Sequence, residues 1–231
     1  MKAAPRNELV VILHGIGMSP LRMAWLEFGL RRAGFDTLNI AYPSLKENIE
    51  NCASFIAQKI AAKDIKDYAK THFVTHSMGS LVALEIMQQN MIGNVSRAVL
   101  IAPPYRGSEV ADLLAPTFLY RRFFGPSGQQ LTTEYRKTID YIIPENIEVG
   151  VIAGTRAWEY PIFLSTMKKT GVHDGLVSLE STRIPSIKDH YTINMSHSFL
   201  LEKSVAQVTY FLTQGRFDRP ENNHPETKYK A

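Results

Sequence analysis

Short apolar runs alternate along the chain with longer stretches in which apolar residues recur every three or four positions. Leu9–Leu13 is continuously apolar, as a parallel strand covered on both faces should be. Thr37–Ala41, Thr71–Thr75, Ala98–Ala102, Glu148–Gly154 and His190–Asn194 read as further strands. Between them lie helical patterns. Ser19 and Pro20 mark the start of one helix that Gly34 closes. Ser44 and Glu47 have the spacing of a capping box ahead of a helix with Ile49, Cys52, Ala53, Ile56 and Ile60 on one face. Leu81–Gln88 forms a third helix, and a last one carries Leu201, Val205, Val208 and Leu212. Strands alternating with amphipathic helices predict an α/β fold, a mostly parallel, doubly wound sheet with helices on both faces. The alternation lapses over Tyr105–Pro144, which contains no clear strand and reads as a helical cap insertion. No repeat or linker divides residues 1–214, a single domain. From about Gly215 the chain turns polar, with Pro220 and Pro225, and reads as a loose tail over residues 215–231.

A length of 231 residues suits one domain with a substantial core. The net charge of +4 and pI near 9.1 are mildly basic, but the lysines and arginines are scattered. A nucleic-acid groove wants a basic stripe, and none is visible. The single cysteine, Cys52, excludes an internal disulfide, fits a reducing compartment, and lies among apolar helix positions as a packing residue. Met1–Glu8 is polar, and Leu9–Leu13 is too short for the core of a signal peptide. No window reaches the length of a transmembrane helix, so the expected location is the cytoplasm. Oligomeric state is not legible.

The chemistry centres on Phe73-Val74-Thr75-His76-Ser77-Met78-Gly79, a strand passing abruptly into a helix. A serine at such a corner is forced into a strained conformation that presents its hydroxyl, the nucleophile elbow. The usual pattern is G-x-S-x-G, and Thr75 stands in place of the first glycine. A serine hydroxyl needs a base in reach, a carboxylate to orient that base, and fixed donors for the oxyanion. In a doubly wound sheet these lie on loops at the carboxyl ends of strands. His197, just past the last strand, is the candidate base. His190 opens that strand and falls at the far edge of the sheet. His76 adjoins the serine, and neighbouring side chains at a strand end point apart. His72 and His76 do not make a zinc pair, because four residues of strand separate them by roughly 13 Å. Asp174, before Gly175 in the loop between the last two strands, is the candidate acid; Asp189 is the fallback, and Asp140 precedes its strand. The backbone N–H groups of Met78 and Ile16 are the candidate oxyanion donors, in a loop shaped by His14 and Gly15. A dinucleotide loop at Gly15-x-Gly17 fails, since Pro20 replaces the third glycine and the second strand ends in Tyr42-Pro43 without an acid. No cofactor or metal site is indicated.

With these residues the chain resembles the alpha/beta-hydrolases, and among them the bacterial lipases and esterases. The resemblance is carried by His14-Gly15-Ile16-Gly17, Thr75-His76-Ser77-Met78-Gly79, Pro104-Tyr105-Arg106-Gly107-Ser108-Glu109-Val110-Ala111-Asp112, Asp174-Gly175-Leu176-Val177 and Ser196-His197. It implies a triad of Ser77, Asp174 and His197 with Ile16 and Met78 as the oxyanion pair. The implied activity is hydrolysis of an acyl ester, a lipid among the candidates, through an acyl-enzyme. Transfer of the acyl group to another acceptor, or a non-catalytic binding role on the same fold, are the alternatives. Thr75 departs from the family pattern, and the calcium site of some relatives has no matching aspartate cluster. Phe118-Leu119-Tyr120-Arg121-Arg122-Phe123-Phe124 suits either an acyl chain or lipid surface, or simple packing of a cap helix on the core. Gly125-Pro126-Ser127-Gly128 has the composition of a hinge.

Overall fold

In the computed structural model, which describes residues 7–63, 65–157 and 171–219, the apolar runs become the middle of a sheet. β1 (Glu8–Leu13) pairs with β2 (Asp36–Ile40) on one side and β3 (Lys70–His76) on the other. β4 (Val95–Ile101), β5 (Glu148–Gly154) and β6 (Asp189–Ile193) follow outward from β3. Every pairing is parallel, in the order β2-β1-β3-β4-β5-β6.

Successive residues of a strand face opposite sides of the sheet, and both sides are covered. Leu9, Val11, Leu13, Phe73 and Leu100 pack beneath α2 (Ile49–Ala61) and α3 (Met78–Gln88), against Ile56, Leu81 and Leu84. Val10, Ile12, Val74 and Val99 pack on the other side against α1 (Ala24–Arg32) and the last helix, α7 (Leu200–Gln214), through Leu26, Leu30, Val208 and Phe211. This is the doubly wound arrangement expected from the pattern.

The helix starts differ from expectation. Ser19 makes no side-chain cap; Pro20–Met23 forms a 3-10 turn and α1 begins after it. Ser44 and Glu47 do not form a capping box. The carbonyl of Pro43 accepts from the N–H groups of Lys46 and Glu47, a turn that delays the helix until Asn48. Asn48 then caps α2 by accepting from the Asn51 N–H at 2.8 Å. Ser44 instead accepts from the Gly17 N–H at 3.2 Å, joining two loops at the carboxyl end of the sheet.

Between β4 and β5 lie α4 (Glu109–Leu114), α5 (Phe118–Gln129) and α6 (Thr133–Arg136). α5 is broken at Gly125, whose φ of 57° no helix accommodates. The break is anchored: Ser127 and Gly128 are buried, and the Ser127 hydroxyl donates to the Ser44 carbonyl at 2.6 Å. The aromatic stretch divides along the helix. Tyr120 is buried and stacks on Phe124, while Phe118, Leu119 and Phe123 are 78, 64 and 63% exposed. Past α7, Phe217 is buried against Phe211, and Arg219 pairs with Asp189 at 2.7 Å, so these two residues fasten the start of the polar stretch to α7 and β6. No helix among the described residues is long and apolar enough to cross a membrane.

Candidate active site

β3 ends at His76 and α3 begins at Met78, leaving Ser77 alone at the corner with φ 52° and ψ −127°. A non-glycine residue rarely adopts such a positive φ, and it persists only where its surroundings enforce it. Here the Ser77 N–H donates to the Ile101 carbonyl at 2.8 Å, and the Ser77 carbonyl accepts from the Ser80 N–H at 2.9 Å. The helix passes so close to β1 that a Cβ on Gly79 would stand 2.6 Å from the His14 carbonyl oxygen and 2.8 Å from that of Leu13. Thr75, fully buried, is accommodated by donating its hydroxyl to Ser80 Oγ at 2.9 Å.

The loop after β1 lies against this corner. A Cβ on Gly15 would be 3.1 Å from Ser77 Cβ. His14 is buried, stacks on Tyr42 with centroids 4.4 Å apart, and donates Nδ1–H to the Gly15 carbonyl at 2.8 Å. Burial lowers its pKa. The Tyr42 hydroxyl donates to the His14 carbonyl. Ile16 follows, partly buried, in the turn closed by the Met18 N–H on the Gly15 carbonyl. Met78 opens α3, where the first N–H groups of a helix have no intrahelical acceptor.

Asp174 and His197 meet deep in the fold, at 1% and 2% exposure. His197 Nδ1 donates to Asp174 Oδ2 at 2.7 Å, and the His197 N–H donates to the Asp174 carbonyl at 3.0 Å. The other carboxylate oxygen, Oδ1, accepts from the N–H groups of Leu176 and Val177 at 3.0 and 2.8 Å. A Cβ on Gly154, where β5 ends, would stand 2.6 Å from Asp174 Cβ, so only glycine leaves room for this loop. The loop is tied to the start of α4 as well. The Ser108 hydroxyl donates to the Leu176 carbonyl at 2.7 Å, and the Ser178 hydroxyl donates to Glu109 Oε1 at 3.0 Å.

The His197 ring lies against that of His76, the residue before Ser77 in the chain, with centroids 4.7 Å apart and planes 54° apart. Among the described residues no hydrogen bond joins Ser77 Oγ to His197. Catalytic hydrogen bonds are commonly loose before substrate binds and tighten with it. Arg22 donates to Glu202 and to the carbonyl of Ser198, holding the segment just past His197.

The other candidates are occupied elsewhere. His190 contacts Thr182 Oγ1 at 3.1 Å, and burial pushes its pKa down to about 4. Asp189 is held by Arg219 and the Phe217 N–H. Asp140 pairs with Arg106 at 2.9 Å. His72 lies four residues before His76 on β3, 3.5 Å from Glu8. Two contributions escaped sequence reasoning. One is His76, set aside because its side chain points away from that of Ser77; it points toward His197 instead. The other is the tie from Ser108 and Glu109 to the aspartate loop, whose signal was the Gly-Ser-Glu at 107–109 following a strand end.

Comparison with solved structures finds the same fold in other proteins. The mature form of the Bacillus licheniformis lipase BlEst2 superposes with a TM-score of 0.77 at 16% identity, over 92% of this chain and 95% of that one. A metagenomic carboxyl esterase gives 0.71 at 18% identity, over 85% of this chain and 66% of that one. Phospholipase PlaB from Legionella pneumophila gives 0.64 at 14%, over 92% and 57%. No curated protein matches the sequence. The sequence model of the alpha/beta hydrolase family, however, matches residues 10–171, well over half of the chain. With that match, the parallel doubly wound sheet and a strained serine at the strand–helix corner, the chain belongs to the alpha/beta hydrolase family.

Proposed function

We propose that the protein hydrolyses carboxylic esters through an acyl-enzyme formed on Ser77. The observation that carries the reading is the buried 2.7 Å contact from His197 Nδ1 to Asp174 Oδ2. It commits the proton to Nδ1 and leaves Nε2 as the free base on the ring beside the elbow. In this reading His197 Nε2 takes the Ser77 proton as the oxygen attacks the ester carbonyl. Asp174 steadies the resulting imidazolium. The N–H groups of Met78 and Ile16 receive the oxyanion, a role supported by the approach of Gly15 to Ser77 and by the open first turn of α3. His197 then protonates the leaving alcohol, and water repeats the sequence on the acyl-enzyme.

The helical insertion serves as a cap in the same reading. It reaches the Ser44 turn through Ser127 and the aspartate loop through Ser108, so it spans the carboxyl edge of the sheet. The ester class is supported by the structural neighbours, a lipase, a carboxyl esterase and a phospholipase. Rapid mixing with an activated short-chain ester tests the proposal. A burst of alcohol stoichiometric with enzyme, lost in Ser77→Ala, is expected. Turnover undiminished in Ser77→Ala would end it.

A further inference from the structure

The side chain of His76 is fully buried, yet neither the fold nor the reaction above requires a histidine there. β3 already ends at this residue, and an apolar ring would fill the same space. The two ring nitrogens differ sharply. Nε2 lies 3.2 Å from the carbonyl oxygen of His197. A carbonyl can only accept, so Nε2 carries the proton. Nδ1 has no partner, and it faces Gly15 so closely that a Cβ there would stand 3.2 Å from it.

We propose that His76 is a positioning residue whose Nε2–H, donated to the backbone carbonyl of His197, holds the His197 imidazole at the approach to Ser77 that proton transfer needs. The inference rests on the reading of Ser77 and His197 as nucleophile and base. His197 is then fixed at every polar group but one. Its ring Nδ1 and its N–H are held by Asp174, and its carbonyl by His76, which leaves only Nε2 unengaged for the reaction. The Asp174 bonds alone allow the ring to pivot about the Asp174–His197 line. The third bond fixes the backbone from which the ring hangs, and the His76 ring against it limits that pivot.

Charge favours the same arrangement. Burial, and next the charge of His197, hold the His76 pKa well below the ordinary histidine value; the hydrogen bond to the His197 carbonyl opposes this, and Arg22 and His14 add to the lowering. A neutral ring can therefore donate its hydrogen bond without opposing the positive charge that His197 gains when it takes the serine proton. A cation at 4.7 Å between centroids would oppose it directly. Displacement of a catalytic group by a fraction of an ångström to one ångström costs up to roughly a hundredfold in rate.

Three variants separate positioning from packing. His76→Phe keeps the ring and removes the donor. His76→Gln restores a donor at the reach of Nε2, and His76→Asn places its amide nearer the position of Nδ1, short of the carbonyl. With an activated short-chain ester, the expected result is a kcat lower by roughly ten- to a hundredfold in His76→Phe and His76→Asn, with KM within about twofold. His76→Gln should recover most of the loss. Wild-type kcat in His76→Phe, or equal kcat in the Asn and Gln variants, overturns the proposal; the latter comparison stands if the Phe variant fails to fold. Fluorophosphonate labelling of the wild type runs alongside. Labelling at Ser77 shows that any such failure belongs to His76, whereas absent labelling overturns the reading of the site and this inference with it.

Discussion

The hydroxyl of Thr75 donates to the hydroxyl of Ser80 across the elbow, at 2.9 Å and with both side chains fully buried. The residue that departs from the family's glycine thus bonds the strand to the first turn of the helix it precedes. Thr75→Val keeps the shape and leaves the Ser80 hydroxyl without this donor. The expected loss is about 1–3 kcal/mol in stability by urea denaturation, with kcat within a few-fold of wild type.

Asp174 divides its carboxylate between the His197 ring and the backbone of its own loop. Asp174→Asn keeps the volume but replaces one acceptor oxygen by a donor, which cannot serve both sides. A loss of roughly 10³–10⁴ in kcat is expected, by analogy with removal of the orienting acid in serine proteases. Steady-state kinetics with a soluble ester checks it.

Gly79→Ala forces a Cβ to within 2.6 Å of the His14 carbonyl, a backbone atom that cannot swing aside. Overpacking of this kind costs about 1–3 kcal/mol. The displaced backbone is the loop carrying Ile16, so kcat should fall together with the melting temperature.

His72 and His190 both have pKa values pushed down to about 4, chiefly by burial. The unfolded chain binds these protons near pH 6.5, before the folded one does. Their contribution is complete above that value and is lost as pH falls through the folded pKa. Thermal melts from pH 7.5 to 4 should show steady weakening below about 6.5, and His190→Gln should flatten part of that slope. Asp189 and Glu148, whose pKa values are lowered with the help of Arg219 and Arg97, add a further loss in stronger acid.

Phe118 and Phe123 are mostly exposed, so their replacement by serine should change stability by no more than about 0.5 kcal/mol. Tyr120→Ser, in the same helix but buried and bonded to the Gly128 carbonyl, should cost several times as much. Denaturant melts of the three variants check the division of this helix into an inward and an outward face.

The inner strands β1, β4 and β5 were legible because each is largely a run of apolar residues that both faces of the sheet bury, and the bounds of Glu148–Gly154 agree to the residue. The edge strands Asp36–Ile40 and Asp189–Ile193 are mixed and only partly buried, so their bounds were less sharp. The elbow was legible because strand, serine and small residue fall within a few positions. Helix starts were less so. Ser19 and Ser44 have the right chemistry for caps, but tertiary contacts turned Ser44 toward the Gly17 N–H, and a 3-10 turn intervened after Ser19. The meeting of residues 174 and 197 could be anticipated from strand ends, whereas the contribution of His76 could not. It depends on a ring reaching a backbone carbonyl 121 positions away, and a carbonyl leaves no mark on sequence. The packing of Phe217 was hidden for a similar reason, as one apolar residue in a polar stretch.

Peptide mass spectrometry after exposure to a fluorophosphonate decides whether the corner serine reacts. A single adduct on the peptide containing Ser77 is predicted for the wild type, with labelling slowed severely in His197→Ala and absent in Ser77→Ala. An unlabelled wild type, or a label that persists on the Ser77→Ala protein, would contradict an acyl-enzyme at this site.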